Sequence, residues 1–573
     1  MCGVAGIIGE ADEARGRALI APLAHRGPDG IRVETVGRAT LAHARLSIID
    51  LEHGWQPLHA AGCSVIGNGE IYNYLELIEE FGLKDRLTTG SDFEPLLHLY
   101  ALEGERAFAR LRGMYAFCLI GHDGRTWLVR DPFGIKPLYY RQTPQGVAFA
   151  SEPRALSPQA IAPERAEELL ALNYTLASIY PGIERVPPGA VLQLASAHAG
   201  GSRDPGLGQG LAGSKKTWAP ASSGVSGLLD SLDRVLEDSV AVHQRSDVAY
   251  GLFLSGGVDS AAVATLMSRL NHRPVTAFTC GFDGAGAHDE RAQAERVARA
   301  LDLDWRETSF GEEDFWRIAP LVAAALDDPT TDYATLPTYK LAEAARGTLT
   351  VVLTGEGGDE LFAGYGRYRR ALRPAWMAGR PAEPQAQAPF LKDGGGGALA
   401  RWRAIAAPPK GLSRLQRAQA ADMTGWLPND LLLKLDRCLM AHGLEGRTPF
   451  LDREVMAFAA ALPDGLKVRG RHGKWIVRKW LERHCPAADP WGRKKGFTVP
   501  VADWIAPRAA DLGARIAAVQ GVAQACDLDA VRAVFTDDRQ ASSRWPLLFY
   551  ALWWTIHIGG ATAREAAEAV IAA

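Results

Sequence analysis

A cysteine at position 2 stands directly behind the initiator methionine. Loss of Met1 would expose the α-amine of Cys2 beside its own thiol. A nucleophile paired with the chain's own N-terminal amine needs no separate histidine base. An amine with an ordinary pKa of about 8 can accept a thiol proton near neutral pH. A cysteine at position 2 is uninformative by itself, but four polar motifs follow in order: HRGPDG (25–30), ARLSIID (44–50), NGEIYN (68–73) and TGSD (89–92).

A second set lies far downstream. SGGVDS (255–260) follows the apolar run VAYGLFL and precedes AAVATLMSRL, which reads as a helix. Two glycines let backbone N–H groups approach an anion, and a helix N-terminus favours negative charge. No GxxxxGK[ST] motif is present, which disfavours a P-loop that cleaves between the β- and γ-phosphates. TGEGGDE (354–360) ends a further apolar strand, and strand C-termini in an open α/β sheet are where ligands bind. RTPFLD (447–452), GKWIVRK (473–479) and RKKGFTVPVADW (493–504) follow. The last reads as a structural or phosphate-facing basic segment.

The N-terminal motifs together resemble the glutaminase domain of the N-terminal-nucleophile amidotransferases, most closely the class II, asparagine-synthetase type, over residues 1 to about 190. The resemblance implies that Cys2 attacks the side-chain amide of glutamine. It implies that Asn68 and the Gly69 N–H stabilise the oxyanion. It also implies that Arg45 reads the substrate carboxylate, and that Asn68, Glu70 and Asp92 complete the glutamine site, the two acids taking its ammonium. SGGVDS resembles the pyrophosphate loop of adenylating ATP-pyrophosphatases. The nucleotide set implied is Leu254, Ser255, Gly256, Gly257, Asp259, Ser260, Cys280, Thr354 and Gly355. Asp259 and Asp359 would hold Mg²⁺, an ion that suits carboxylate and phosphate oxygens. Glu356 would stand near the acceptor, and Lys474 would stabilise charge developing during adenylation.

The activity implied is amidation of an ATP-activated aspartate with ammonia from glutamine. One position departs from the pattern. In TTDYATLP (330–337), Tyr333 aligns with an arginine of the best-known relatives. The alternative is therefore a relative that amidates another carboxylate, a sugar acid or a peptide. A non-catalytic relative is disfavoured because Cys2, Asp259 and Lys474 are all present.

The elements expected to carry these residues form an α/β multidomain chain. Short apolar stretches separated by Gly, Pro and Asp turns make residues 2–195 a glutaminase domain of stacked antiparallel β-sheets with helices. Residues 196–227, rich in Gly, Ser, Ala and Pro, read as a flexible linker with Trp218 as its anchor. From 228 to 573, strands alternate with helices. That predicts a doubly wound parallel sheet of the ATP-pyrophosphatase kind with a helical C-terminal part. A mobile loop is expected at about 378–398.

The 573 residues exceed one core and suggest about two to four domains. Lys+Arg number 63 against 66 Asp+Glu, so no basic excess points to nucleic acid or an anionic membrane. Seven cysteines without a CxxC pair suit a reducing compartment. No signal peptide is read at the N-terminus, and the cytoplasm is the expected location. The longest apolar run, LLFYALWWTIHI (547–558), is too short to span a bilayer and reads as a buried helix. The expected partners are small molecules (glutamine, aspartate and ATP), with a homodimer entertained as the assembly.

Overall fold

A computed structural model describes residues 2–194, 224–283, 289–373, 384, 388–406, 411–492 and 499–571. Among these residues three sheets form. One has six strands in the order Glu184–Arg185, Tyr139–Thr143, Gly146–Ala150, Gly3–Ile8, Ala39–Arg45, Gly30–Val36, with every pairing antiparallel. A second has five antiparallel strands in the order Val191–Leu194, Thr126–Arg130, Gly113–Ile120, Cys63–Ile71, Leu58–Ala60. Val4, Leu41 and Phe149 of the first meet Ile66, Ala116 and Leu128 of the second in one apolar layer, so the two sheets are stacked as the alternation of short strands predicts.

The third sheet is parallel: Asp304–Phe310, Thr276–Phe282, Tyr250–Phe253, Val351–Leu353, Glu445–Arg447. Its three inner strands read as largely apolar runs because both faces are covered, whereas the edge strands, DWRETSF and EGR, do not. Ala277, Val351 and Leu353 pack with the helices Val225–His243, Val258–Leu270 and Trp475–His484. Phe278 and Val352 turn to the other layer, with the helices Glu312–Ala325, Thr335–Ala345 and Leu432–Met440. The sheet is therefore doubly wound.

The apolar run near the C-terminus is the buried helix Arg544–His557. Its large aromatics keep their polar ends satisfied: Trp545 Nε1 donates to the Thr331 carbonyl and Trp553 Nε1 to that of Leu326, both at 2.8 Å. Among the described residues no helix is long and apolar enough to cross a membrane.

Most of the expected linker, Trp218 included, lies outside the described residues. The helix expected from 228 begins earlier, at Val225. In the segment 378–398, residues 378–383 and 385–387 lie outside the described residues. Ala388, Phe390 and Leu391 are buried, and the helix Gly396–Ile405 follows. Residues 493–498 of the basic segment also lie outside.

Buried charge ties the first 194 residues to the rest. Arg26 is fully buried and donates to Glu152 at 2.7 Å and to both oxygens of Asp436 at 2.8 and 3.0 Å. Arg112 donates to Asp452 at 2.7 Å. Arg26 belongs to HRGPDG and Asp452 to RTPFLD, so each of these motifs contributes a residue to the junction.

Candidate active sites

Cys2 leads into Gly3–Ile8, a central strand of the six-stranded sheet. Its backbone is fixed at both ends. The Cys2 N–H donates to Asn68 Oδ1 at 3.1 Å, and the Cys2 carbonyl accepts from Arg26 Nε at 3.3 Å. The thiol lies 3.8 Å from the Leu46 carbonyl. Burial pushes the thiol pKa up, so the nucleophile needs a base at hand.

The bond from Cys2 orients Asn68. With Oδ1 engaged, the buried Nδ2 is left without a hydrogen-bond partner among the described residues. A buried amide donor rarely goes unpartnered without a reason. This one belongs to the residue that holds the Cys2 main chain, so it is a donor open to a ligand at Cys2.

Gly69 follows at φ +127°, and a Cβ there would meet the Met114 carbonyl oxygen at 2.0 Å. Only glycine tolerates both the conformation and the approach. Gly69→Ala is expected to destabilise the chain by about 3 kcal/mol, from left-handed strain plus a clash with main chain. Thermal unfolding measures this, and an unchanged melting temperature would contradict it.

Arg45 is buried and held by the Leu51 and Asp50 carbonyls at 3.1 and 2.5 Å, with its guanidinium 4.9 Å from the Trp55 ring. Glu70 and Asp92 are buried together. Asp92 Oδ2 accepts from the Ile71 N–H at 2.6 Å, and Glu70 Oε2 has no partner among the described residues. Burial pushes the Asp92 carboxyl up to about 7 and Glu70 well above its ordinary range, with Asp92 adding to the burial effect on Glu70. Two buried acids that resist ionising together would be relieved by a cation placed between them.

The second site gathers at the strand ends of the parallel sheet. Gly257 caps the helix Val258–Leu270. The Gly257 N–H donates to Ser255 Oγ at 3.1 Å, Ser255 Oγ and Ser260 Oγ lie 2.9 Å apart, and the Gly256 N–H donates to Glu290 at 3.1 Å. Leu254 is anchored through its N–H to the Phe278 carbonyl at 2.9 Å. Cys280 is buried on the neighbouring strand with its thiol pushed up to about 12 by burial, so it offers a wall and no reactivity.

The loop TGEGGDE packs directly on SGGVDS. A Cβ at Gly355 would come within 2.8 Å of the Asp259 Cβ, and one at Gly358 within 2.5 Å of Asp259 Oδ1. Thr354 Oγ1 is buried without a partner among the described residues.

Lys474 joins the two loops. It caps the helix Trp475–His484 in a left-handed conformation, φ +54°, with its N–H on the Phe362 carbonyl at 2.9 Å. Its ammonium is buried between Asp259 and Asp359, in contact with the first and 2.7 Å from the second. Burial opposes the lysine charge, but the two aspartates outweigh it and hold the pKa above its ordinary value. Strained backbone on a buried charged side chain is a signature of a functional position.

Glu356 is raised by burial, with Lys434 opposing and Asp332, Asp359 and Asp259 reinforcing. Lys434 Nζ pairs with Asp332 Oδ2 at 3.0 Å, and Asp332 Oδ1 accepts from the Ala334 N–H at 2.9 Å. Tyr333, between them in sequence, is partly exposed.

The sequence-predicted residues therefore gather into two groups, one around Cys2 and one around Lys474. Sequence reasoning missed Glu290, Asp332, Lys434, Glu445 and Arg447. Arg447 and Asp332 had a signal, since the first opens RTPFLD and the second stands in TTDYATLP; Glu290, Lys434 and Glu445 stood outside the motifs.

Comparison with known proteins finds two family models on this chain. The glutamine amidotransferase domain model matches residues 1–203, and the asparagine synthase model matches residues 231–556. The chain is 30% identical to asparagine synthetase (glutamine-hydrolyzing) 1 of Bacillus subtilis strain 168, over 97% of each chain. It is 32% identical to a putative asparagine synthetase (glutamine-hydrolyzing) of Mycobacterium tuberculosis strain H37Rv, over 93% of this chain and 92% of that one. Asparagine synthetase B (glutamine-hydrolyzing) of Escherichia coli K12 is 28% identical over 88% and 83%.

Proposed function

The chain belongs to the asparagine synthase family, and from that premise we propose that it is a two-site ligase that hydrolyses glutamine at Cys2 and amidates aspartate at the parallel sheet. The observation that carries the first half is the Asn68 side chain, bonded through Oδ1 to the Cys2 N–H and with an Nδ2 left unpartnered among the described residues. The Cys2 thiol attacks the glutamine side-chain carbonyl and gives its proton to the α-amine freed by loss of Met1. Asn68 Nδ2 and the Gly69 N–H receive the oxyanion. Arg45 takes the substrate carboxylate, and Glu70 and Asp92 take its ammonium. Collapse of the tetrahedral intermediate breaks the carbon–nitrogen bond, the α-ammonium returning its proton to the leaving nitrogen; water then hydrolyses the thioester to glutamate, and the ammonia passes inside the protein to the second site.

At that site the SGGVDS loop and the helix behind it hold the phosphates of ATP, a substrate the family uses. Lys474 offsets charge on the α-phosphate as the acceptor carboxylate becomes an adenylate, giving pyrophosphate. Ammonia displaces AMP, and Glu356 takes a proton from the attacking nitrogen. Asp259 and Asp359 already converge on one cation, the Lys474 ammonium, so they fit the additional role of holding Mg²⁺. Among the described residues no group of three or more His, Cys, Asp or Glu could hold a metal ion, which leaves the remaining ligands to phosphate oxygens and water. When bound, that ion would neutralise the departing pyrophosphate. The Asp332–Lys434 pair supports an amino-acid acceptor, since it presents one group for an ammonium and one for a carboxylate.

This reading divides the chain into a glutaminase domain (2–195), a linker (196–227) and a synthetase domain (228–573). It places the enzyme in the cytoplasm, where Cys2 stays reduced. The test is pyrophosphate release with Mg-ATP and amide-¹⁵N glutamine, with and without aspartate. Aspartate-dependent pyrophosphate with ¹⁵N-asparagine is the expected result. Glutamate release without aspartate-dependent pyrophosphate would reject aspartate as the acceptor, and would turn attention to sugar acids and peptides.

Glutamine binding should also depend on pH. Asp92 titrates near 7 in the free enzyme, and only its ionised form attracts an ammonium. Glu70 is shifted upward as well, so binding must displace protons at and below pH 7, and the KM for glutamine should fall as the pH rises through 7. Calorimetry in buffers of different ionisation enthalpy should detect proton release at pH 6. Binding without proton exchange would remove Asp92 from the site.

A further inference from the structure

One arginine of the parallel sheet reaches the glutamine site. Arg447 ends the edge strand Glu445–Arg447, opposite Leu353 in the register. Its carbonyl accepts from the Thr354 N–H at 2.9 Å, at the head of the nucleotide loop. Its side chain is fully buried and rigidly held: Nε donates to Glu445 at 2.6 Å, and Nη1 to the carbonyls of His243 and Arg245 at 2.9 and 2.7 Å. The remaining nitrogen, Nη2, stands 3.4 Å from Glu70 Oε1 and makes no hydrogen bond among the described residues. Main chain and side chain of this one residue thus serve the two different sites.

From this geometry we propose that Arg447 is a positioning residue for the glutaminase: it fixes the Glu70 carboxylate for the ammonium of glutamine from the opposite domain. This deepens the glutaminase reading and rests on it. Burial and the neighbouring Asp92 make the Glu70 carboxyl resist ionising; Arg447 opposes that shift and fixes where the group points. The guanidinium is a suitable clamp because its fork is planar and permanently charged, and three acceptors already immobilise it. It leaves Glu70 Oε2 free for the ligand. The glutamine site is then complete only when the last strand of the synthetase sheet is in place. That strand also holds Thr354, so the two sites share a mechanical link.

The experiment is steady-state glutamate release by the full chain, without ATP or acceptor, for Arg447→Met and Arg447→Lys. Arg447→Met should raise the KM for glutamine about 10- to 100-fold, the usual cost of losing an orienting partner, with kcat nearly unchanged. Arg447→Lys keeps the charge without the fork and should recover part of the loss. In a Glu70→Gln background, adding Arg447→Met should raise KM no further, because the group it positions is no longer a carboxylate. A fall in kcat at constant KM, or effects of the two substitutions that multiply, would overturn the proposal. If Arg447→Met does not fold, the lysine variant and its cycle with Glu70→Gln decide the matter. Wild-type enzyme that released no glutamate would overturn the glutaminase reading itself, and this inference with it.

Discussion

Cys2→Ala should abolish glutamine-dependent amidation while ammonium-dependent amidation persists. Removing a nucleophile from a covalent mechanism costs about 10³-fold or more in rate, because the binding groups and oxyanion donors that remain supply only residual catalysis. The structure makes the substitution clean. Cys2 is anchored by its main chain, through the bonds to Asn68 and Arg26, and both survive in alanine. The thiol is only partly buried, so the change in stability should be under about 1 kcal/mol. Glutamate release should vanish, and pyrophosphate release fed by ammonium should stay near wild type. Loss of both together would show that the thiol supports the fold and not the chemistry. Glutamate release within about tenfold of wild type would require another nucleophile.

Lys474→Met should produce the opposite pattern: glutaminase retained, and synthesis from either nitrogen source reduced by about 10²- to 10³-fold. That range is the loss seen when one preorganised group facing a developing charge is removed. Methionine keeps most of the side-chain length and has the same L-configuration in the left-handed position, so the backbone strain is common to both chains. What changes is the cation between Asp259 and Asp359. Breaking a buried pair while leaving its partners behind destabilises by about 3–5 kcal/mol, so thermal unfolding of the variant should fall with the activity. Saturating Mg-ATP should restore part of the melting temperature, because ligands that bind the native state stabilise it. Full pyrophosphate release from the variant would remove Lys474 from the adenylation step. Loss of glutamate release as well would mean that the damage is global.

Several features of this protein were legible without coordinates because they are local. The apolar runs VAYGLFL and VTAFTCGF follow strand spacing, and each ends where a glycine or acidic loop begins. A buried parallel strand followed by SGGVDS allows little besides a strand–loop–helix turn, and the loop is found there. The stacked sheets were legible from short apolar stretches between turn residues. Boundaries were less secure: the helix placed from 228 starts at Val225, since helix ends depend on capping contacts more than on period. The end of the segment expected to be a mobile loop carries buried Phe390 and Leu391, whose apolar character the Gly-rich context masked.

The sequence by itself determined which reactive groups are available: a cysteine at position 2, an Asn–Gly pair, a set of acids, and glycine loops with a lysine. It also determined where along strands and helices these groups would stand, since period and turn chemistry act over a few residues. Only the tertiary structure decided which groups face each other. The Cys2 N–H turns Asn68 so that its amide is left to donate. Arg26 meets Asp436 across 410 positions of chain. Arg447, read in sequence as part of a synthetase motif, lies against Glu70 of the glutaminase. Contacts of this kind come from the packing of whole sheets and helices. No local pattern records them, because each partner's own neighbours in sequence are satisfied without it.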